Sequence, residues 1–557
     1  MAAQDRVRGV PSAPKVSGST HEGFGLALTP RELESRSASP PRLRLPLLLI
    51  TGLYVALCVW VHAGRSWQGD EWGSYLAFRD SHHHLVTHFG GLQTMNFYLA
   101  GLKVIHDARG GANWLLVLPG IAAGAWLVWL GAGLALRLGS GREGAIVSAL
   151  LIAVNPVLVA YGVTIRSYIF LAAFSAAMIL ELHCWRRSGR WRDGVLTAVC
   201  GALALLAHLN ALYTYVVVAV LAVCWTVVRV RLGYDDSLRR LWRLALPVAV
   251  LGAVAGAAYI PQFADIVAFR QKWSATPPIA LTFVPSMFSR FFGVGYVQVP
   301  ALLMLLYASW RACRDRRESQ WMLLAAIVAV AAISLAGVSH FPWAYSRFLI
   351  ATLPWLILLI ADGCAVVALR SRMATVAIVV VLAACSLFTL GTTRQGLHAQ
   401  PWQRIAQSIR GDIATGARCV LVGSKMANNA LRVYGIPCQY DAAAVLERLP
   451  ADEPARLAVV VIPANIVIAL PAQTFGTLRI ISVAGYPRAI AATLSQSLIT
   501  GADDRVHGEL ADVYQQVGNL LRWIGPSGSA SKYDRLLNES RAQGNRFRNR
   551  PPQFFEQ

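Results

Sequence analysis

The sequence predicts a polytopic α-helical membrane protein of about eleven transmembrane helices followed by a small extracytoplasmic α/β domain, and three observations predict it. The 557 residues are 55% hydrophobic and only 14% charged, with a mean hydropathy of +0.48, which is too apolar for a soluble globule of this length. Apolar runs of roughly 18 to 22 residues recur along the chain, matching the ~20 helical residues that cross ~30 Å of hydrocarbon. Between those runs, Arg clusters occupy alternate loops, as the positive-inside rule requires of loops that face the cytoplasm.

Taken in order, residues 1–42 are rich in Ser, Pro, Arg and Gly and read as a disordered cytoplasmic tail. They lack the basic stretch, apolar core and small-residue cleavage site of a signal peptide. The membrane domain is expected over 43–391, with spans near 45–63, 113–136, 144–161, 166–185, 194–208, 211–230, 243–260, 298–311, 321–338, 347–369 and 373–391. Arg137 and Arg142, the run RRSGRWR at 186–192, the cluster from Arg229 to Arg243, the cluster from Arg311 to Arg317, and Arg370 with Arg372 mark the cytoplasmic loops. The loops 64–112 and 261–297, the turn 339–346 and everything after 391 then lie outside the cytoplasm. MNFYLAGLKVIH at 95–106 is short for a span and carries Lys103, so it is expected to lie along the interface.

Beyond the spans, CVLVG at 419–423 and LAVVVIP at 457–463 flank a helical stretch and suggest an α/β domain over 392–527. No Gly-x-Gly-x-x-Gly accompanies the strands, so a nucleotide site has no support there. Residues 528–557 read as a polar tail. Seven of the nine Cys fall in or beside spans, where Cys acts as a small apolar residue. Cys419 and Cys438 fall in the exported part, and whether they form a disulfide stays open. The formal charge of +22 does not indicate nucleic acid, because no basic stripe interleaved with aromatics occurs; the cations serve topology and contact with anionic lipid.

The chemistry-bearing stretch is RSWQGDEWGSYLAFRDSHHH at 65–84, directly after the first span. Asp70 and Glu71 open an expected interfacial helix whose Trp72, Tyr75 and Leu76 form an apolar stripe. The positive end of the helix dipole keeps a carboxylate there ionised, able either to take a proton from a hydroxyl nucleophile or simply to cap the helix.

GDEWGSYLA in this position resembles the Asp-Glu motif of the GT-C superfamily of membrane glycosyltransferases, in the branch of protein O-mannosyltransferases and lipid A aminoarabinose transferases. The resemblance continues through the interfacial helix, through NPVLVAYGVTIRSYIFLAAF at 155–174 and to YSRFLIATLPWLILL at 345–359, covering roughly residues 43 to 390. It implies an inverting enzyme of a bacterial inner membrane. Such an enzyme moves a sugar from a polyprenyl-phosphate donor to a hydroxyl of a glycan, lipid or protein on the outer face. It further implies that Asp70 is the catalytic base, that Glu71 orients the acceptor or binds a divalent cation, and that Arg166 and Arg347 meet the donor phosphate. Physics favours guanidinium there, since the leaving phosphate gains negative charge and Arg binds it bidentately. Both Arg residues stand at outer ends of spans, against the charge bias, although snorkelling to headgroups is the ordinary alternative. Tyr168 and Tyr345 either hydrogen-bond the same phosphate or pack.

The loop 261–297 carries Arg270, Lys272 and Trp273 and is expected either to cover the polyprenyl groove as a lid or to anchor at the interface. At the entry to the interfacial helix the chain departs from the branch: TMNFYL leaves Asn96 as the polar candidate for the acceptor side. His83, with His82, His84 and His88, suggests zinc, but adjacent helical His residues diverge, so acceptor or headgroup contacts are the alternatives and no metal site is expected. His208, Asn210 and His340 read as local hydrogen-bonding groups. A transporter or flippase of lipid-linked sugars would share the span count, yet it would gather its binding groups at the bilayer midplane and often show inverted repeats, and neither is visible.

This topology predicts that, with native Cys replaced, Gln395→Cys reacts with an impermeant maleimide in intact cells. Ser371→Cys reacts only after permeabilisation, and the reverse labelling would invert the assignment.

Overall fold

The computed structural model describes residues 41–482 apart from short interhelical stretches, the segments 273–282, 316–322 and 333–345, and most of 399–482 outside its strands. The expected N-terminal tail, the polar C-terminal tail, Trp273, His88, His340, Tyr345 and Cys438 lie outside the described residues, as do the side chains of Asp70, Arg270, Lys272, Arg347 and Cys419.

The chain is a polytopic α-helical membrane protein. α1 (Pro41–His62) leads to three short helices, α2 (Asp70–Ala77), α3 (His82–Thr87) and α4 (Asn96–Arg109). α5 (Asn113–Arg137), α6 (Gly141–Val154), α7 (Pro156–Gly162), α8 (Tyr168–Ser188), α9 (Trp191–Ala207), α10 (Ala211–Arg231) and α11 (Ser237–Ala257) follow. After α12 (Phe263–Lys272) and α13 (Phe283–Phe292) come α14 (Val299–Asp315), α15 (Leu323–Ala332), a 3-10 segment (Ser346–Thr352), α16 (Leu353–Arg370) and α17 (Arg372–Leu397).

Among the described residues seven helices are long and apolar enough to cross a bilayer, and eight if the bent pair α6 and α7 counts as one span. The other three of the eleven expected spans fall on shorter described helices. α9 and α14 have 17 residues each, or about 26 Å at 1.5 Å per residue, and the described part of α15 is Leu323–Ala332. α9 ends where the expected span ends, because His208 is extended, at φ −157° and ψ 127°.

The expected span 144–161 is also not straight: α6 and α7 meet at 59°. Pro156 has no amide hydrogen to continue the helix. Asn155 instead starts a new one, its side chain accepting from the amides of Val157 and Leu158 at 3.0 and 3.1 Å. Its Nδ2 donates to the Phe291 carbonyl at 3.0 Å, tying α13 to the bend.

α16 is the most enclosed span, with 89% of its apolar window inside the protein. α5 packs on α6 and α8, and α8 on α9. Where α1 crosses α5 and α7, Tyr54 fills the space left by two glycines and donates to the Leu158 carbonyl. A Cβ on Gly124 would stand 1.9 Å from the Tyr54 hydroxyl oxygen, and one on Gly162 2.2 Å from it.

Three parallel strands, β1 (Arg418–Val422), β2 (Leu457–Val461) and β3 (Leu478–Ser482), pair in sequence order with Arg418 opposite Leu457 and Leu457 opposite Leu478. Of the expected α/β domain, little beyond this sheet belongs to the described residues.

Gly124→Ala is expected to destabilise the bundle by about 1–3 kcal/mol, the usual cost of overpacking a closed contact. A thermal melt in detergent checks it, and an unchanged midpoint would deny that this crossing is tight.

Candidate active site

The region begins where α1 ends. Residues 63–67 turn back toward α2, and Trp67 offers its carbonyl to the indole Nε1 of Trp72 at 2.6 Å. The apolar stripe on α2 turns inward, with Trp72 buried and Tyr75 against Phe78 and Trp67. Arg65 and Glu71 form an ion pair whose side chains are 0% and 5% exposed.

The other ends of both side chains reach the same stretch of chain between α7 and α8. Arg65 Nη1 donates to the Val163 carbonyl at 2.7 Å, and Glu71 Oε1 accepts from the Ile165 amide at 3.1 Å. The next residue is Arg166, itself 5% exposed. Its Nη1 donates to Ser74 Oγ at 3.4 Å and lies 3.9 Å from Met95 Sδ. Ser74 is one helical turn after Asp70, the first residue of α2.

Tyr98 on α4 adjoins this pair of charges. Burial is the main cause that pushes its hydroxyl well above the usual phenol range; the negative charge of Glu71 adds to it and that of Arg166 opposes it. Tyr168, the first residue of α8, packs its ring at a tilt between those of Tyr161 and His208, at centroid distances of 4.8 and 4.9 Å. His208 Nδ1 accepts from the Asn210 amide at 3.1 Å.

The rim is built from α3, α4 and the entry to α12. Asn96 donates to Gln262 Oε1 at 3.1 Å, and Gln262 Nε2 donates to the Val86 carbonyl at 2.7 Å. Lys103 Nζ donates to the Phe78 carbonyl at 2.7 Å and pairs with Asp107. Hydrogen bonds from His106 and Lys103 hold the Asp107 carboxyl below the usual carboxylate range. His83 is exposed on α3, while His82 and His106 face Asp107 at 3.6 and 3.1 Å. Among the described residues no group of three or more His, Cys, Asp or Glu could hold a metal ion.

Glu71 and the loop bearing Arg166 thus meet against α2, while Tyr168 packs with Tyr161 and His208. The segment Ser346–Thr352, which contains Arg347, packs against α8, although the Arg347 side chain is outside the described set. Arg270 and Lys272 belong to the last turns of α12. Asn96 gives one amide N–H to Gln262, an inter-element tie.

Sequence reasoning did not single out Arg65, Ser74 or Tyr98. Arg65 did carry a signal: it is an Arg at the end of the first span where the loop is expected to be outside, six residues before an acid. Ser74 and Tyr98 carried none, since a serine and a tyrosine beside an interface are ordinary.

No family model matches the chain, and no curated protein does. Among solved structures it is similar to ArnT from Cupriavidus metallidurans bound to undecaprenyl phosphate, with TM-score 0.53, 14% identity, and coverage of 70% of this chain and 85% of that one. The same protein in the apo state gives TM-score 0.52 and 14% identity, covering 69% of this chain and 84% of that one. The likeness is one of fold: the chain shares the polytopic helical architecture of these two ArnT structures.

Arg65→Ala is expected to cost about 3–5 kcal/mol, because it leaves Glu71 buried without its counter-charge. Adding Glu71→Gln should recover part of that loss, and a double-mutant cycle on unfolding free energies measures the coupling. Additive losses would mean that the two groups do not interact.

Proposed function

We propose that the chain is an inverting glycosyltransferase that takes a sugar from a polyprenyl-phosphate donor and places it on a hydroxyl of a glycan, lipid or protein at the outer face of a bacterial inner membrane. The observation that carries this reading is the buried guanidinium of Arg166, tied through Ser74 to the helix that Asp70 opens. A cation to receive the leaving phosphate and a carboxylate to take the acceptor's proton are what a single displacement at a sugar phosphate needs. The GT-C-like fold and the solved relative with undecaprenyl phosphate support the same choice of donor.

In this mechanism Asp70 takes the proton of the acceptor hydroxyl. The freed oxygen attacks the anomeric carbon from the face opposite the phosphate, and the bond from that carbon to the phosphate oxygen breaks. Both electrons of that bond leave with the lipid phosphate. Arg166, with Arg347 from the segment packed on α8, neutralises the charge that grows there. Tyr168, packed between Tyr161 and His208, closes the same side.

Glu71 has a different part from its neighbour. With one oxygen on Arg65 and the other on the Ile165 amide, it holds the Arg166 loop against α2 and does not act as a second base. Arg270, Lys272 and Trp273 belong to the donor lid, and Asn96 and His83 to the acceptor rim.

Asp70→Asn in liposomes carrying a polyprenyl-phosphate sugar is expected to lower turnover by about 10²–10⁴ while donor binding stays unchanged. Arg166→Ala should weaken donor binding and slow turnover by about 10²–10³, with Arg166→Lys restoring only part. Wild-type turnover in Asp70→Asn, or no transfer from any such donor by the wild-type protein, would end the reading.

A further inference from the structure

After α17 the chain turns back onto the segment that leaves α1. Arg394 Nε donates to the Trp60 carbonyl at 3.1 Å, and His398 Nε2 meets the Val61 carbonyl at 2.9 Å. The Gln403 amide donates to Ser66 Oγ at 3.0 Å. Farther along, Leu431 and Ile436 are buried, and Tyr434 between them presents its hydroxyl to the Trp67 amide, which donates to it at 2.8 Å. Arg410 caps the arrangement by donating to the Tyr434 carbonyl at 2.9 Å.

Trp67 is the meeting point. Its amide is held by Tyr434, its carbonyl by Trp72 of α2, and its ring lies under the Arg65 guanidinium, 5.5 Å from the ring centroid. Arg65 in turn holds Glu71 and the Val163 carbonyl. A chain of direct contacts thus runs from residue 434 to the loop that bears Arg166, across 367 positions of sequence between Tyr434 and Trp67.

We propose that Tyr434 is a positioning residue for the site. Its hydroxyl fixes Trp67, and through Trp67 it sets the Arg65–Glu71 pair and the start of α2 where Asp70 stands. The segment after the last span is therefore part of the active-site framework and not an appendage to it. Where it concerns turnover, the inference rests on the reading of Asp70 and Arg166 as the transferase site. Burial, the main cause, pushes the Tyr434 phenol up to about 12, so it stays a neutral hydroxyl and adds no charge beside the ion pair.

The test compares full-length wild type, Tyr434→Phe and Asp70→Asn in liposomes with a polyprenyl-phosphate sugar and an acceptor, and follows amide hydrogen exchange over residues 65–77 in the same samples. Tyr434→Phe removes one oxygen and leaves the ring to pack. Exchange over 65–77 is expected to quicken about tenfold and kcat to fall about tenfold, with the donor KM and the melting midpoint unchanged.

Unaltered exchange and unaltered kcat would overturn the proposal, as would a joint fall of kcat, donor affinity and melting midpoint, which would mark Tyr434 as a general packing residue. If the wild type transfers no sugar, or Asp70→Asn turns over normally, the transferase reading fails separately. The exchange over 65–77 then decides on its own whether Tyr434 holds α2, faster exchange supporting the coupling and unchanged exchange ending it.

Discussion

The buried contact between Arg65 and Glu71 is what the rest of this end of the bundle depends on. It joins the exit of α1, the start of α2 and the backbone between α7 and α8. Taking two charges out of water is expensive, and such a pair adds little net stability compared with a well-packed apolar replacement. What it contributes is register. An Arg that must satisfy both a carboxylate and a carbonyl, and a Glu that must satisfy both a guanidinium and an amide, have few arrangements in which no charge is left buried alone.

Around that pair the packing is close where precision matters and polar where elements must be joined. Tyr54 wedged between Gly124 and Gly162 sets the distance between α1 and the end of α7, so the loop carrying Arg166 starts from a defined place. Gln262 links Val86 of α3 to Asn96 of α4 and so brings the approach to α12 onto the rim. Each tie spans elements distant in sequence. Loss of one therefore shifts a whole helix end and not a single side chain.

Much of the membrane architecture was legible in the sequence because crossing hydrocarbon demands a long run of apolar residues, and the seven long spans all fall on such runs. Run length alone does not reveal a bend inside a run: the one at 144–161 breaks at Asn155–Pro156. That break did have a local signature, a side-chain cap followed by a residue without an amide hydrogen. Of the site, GDEWGSYLA and Arg166 stood out as charges in apolar surroundings, and their meeting through Ser74 required three dimensions. Arg65, Tyr98 and Tyr434 were hidden for the same reason, because nothing local in the chain says that residue 434 returns to residue 67.

The bend between α6 and α7 has a consequence for where the loop bearing Arg166 begins. α7 has seven residues, about 10 Å of helix at 1.5 Å per residue. Inclined at 59° to α6, it rises only about 5 Å along that axis, roughly half of what a straight helix would give. The loop that bears Arg166 therefore begins about 5 Å nearer the end of α6 along that axis than a straight helix would carry it.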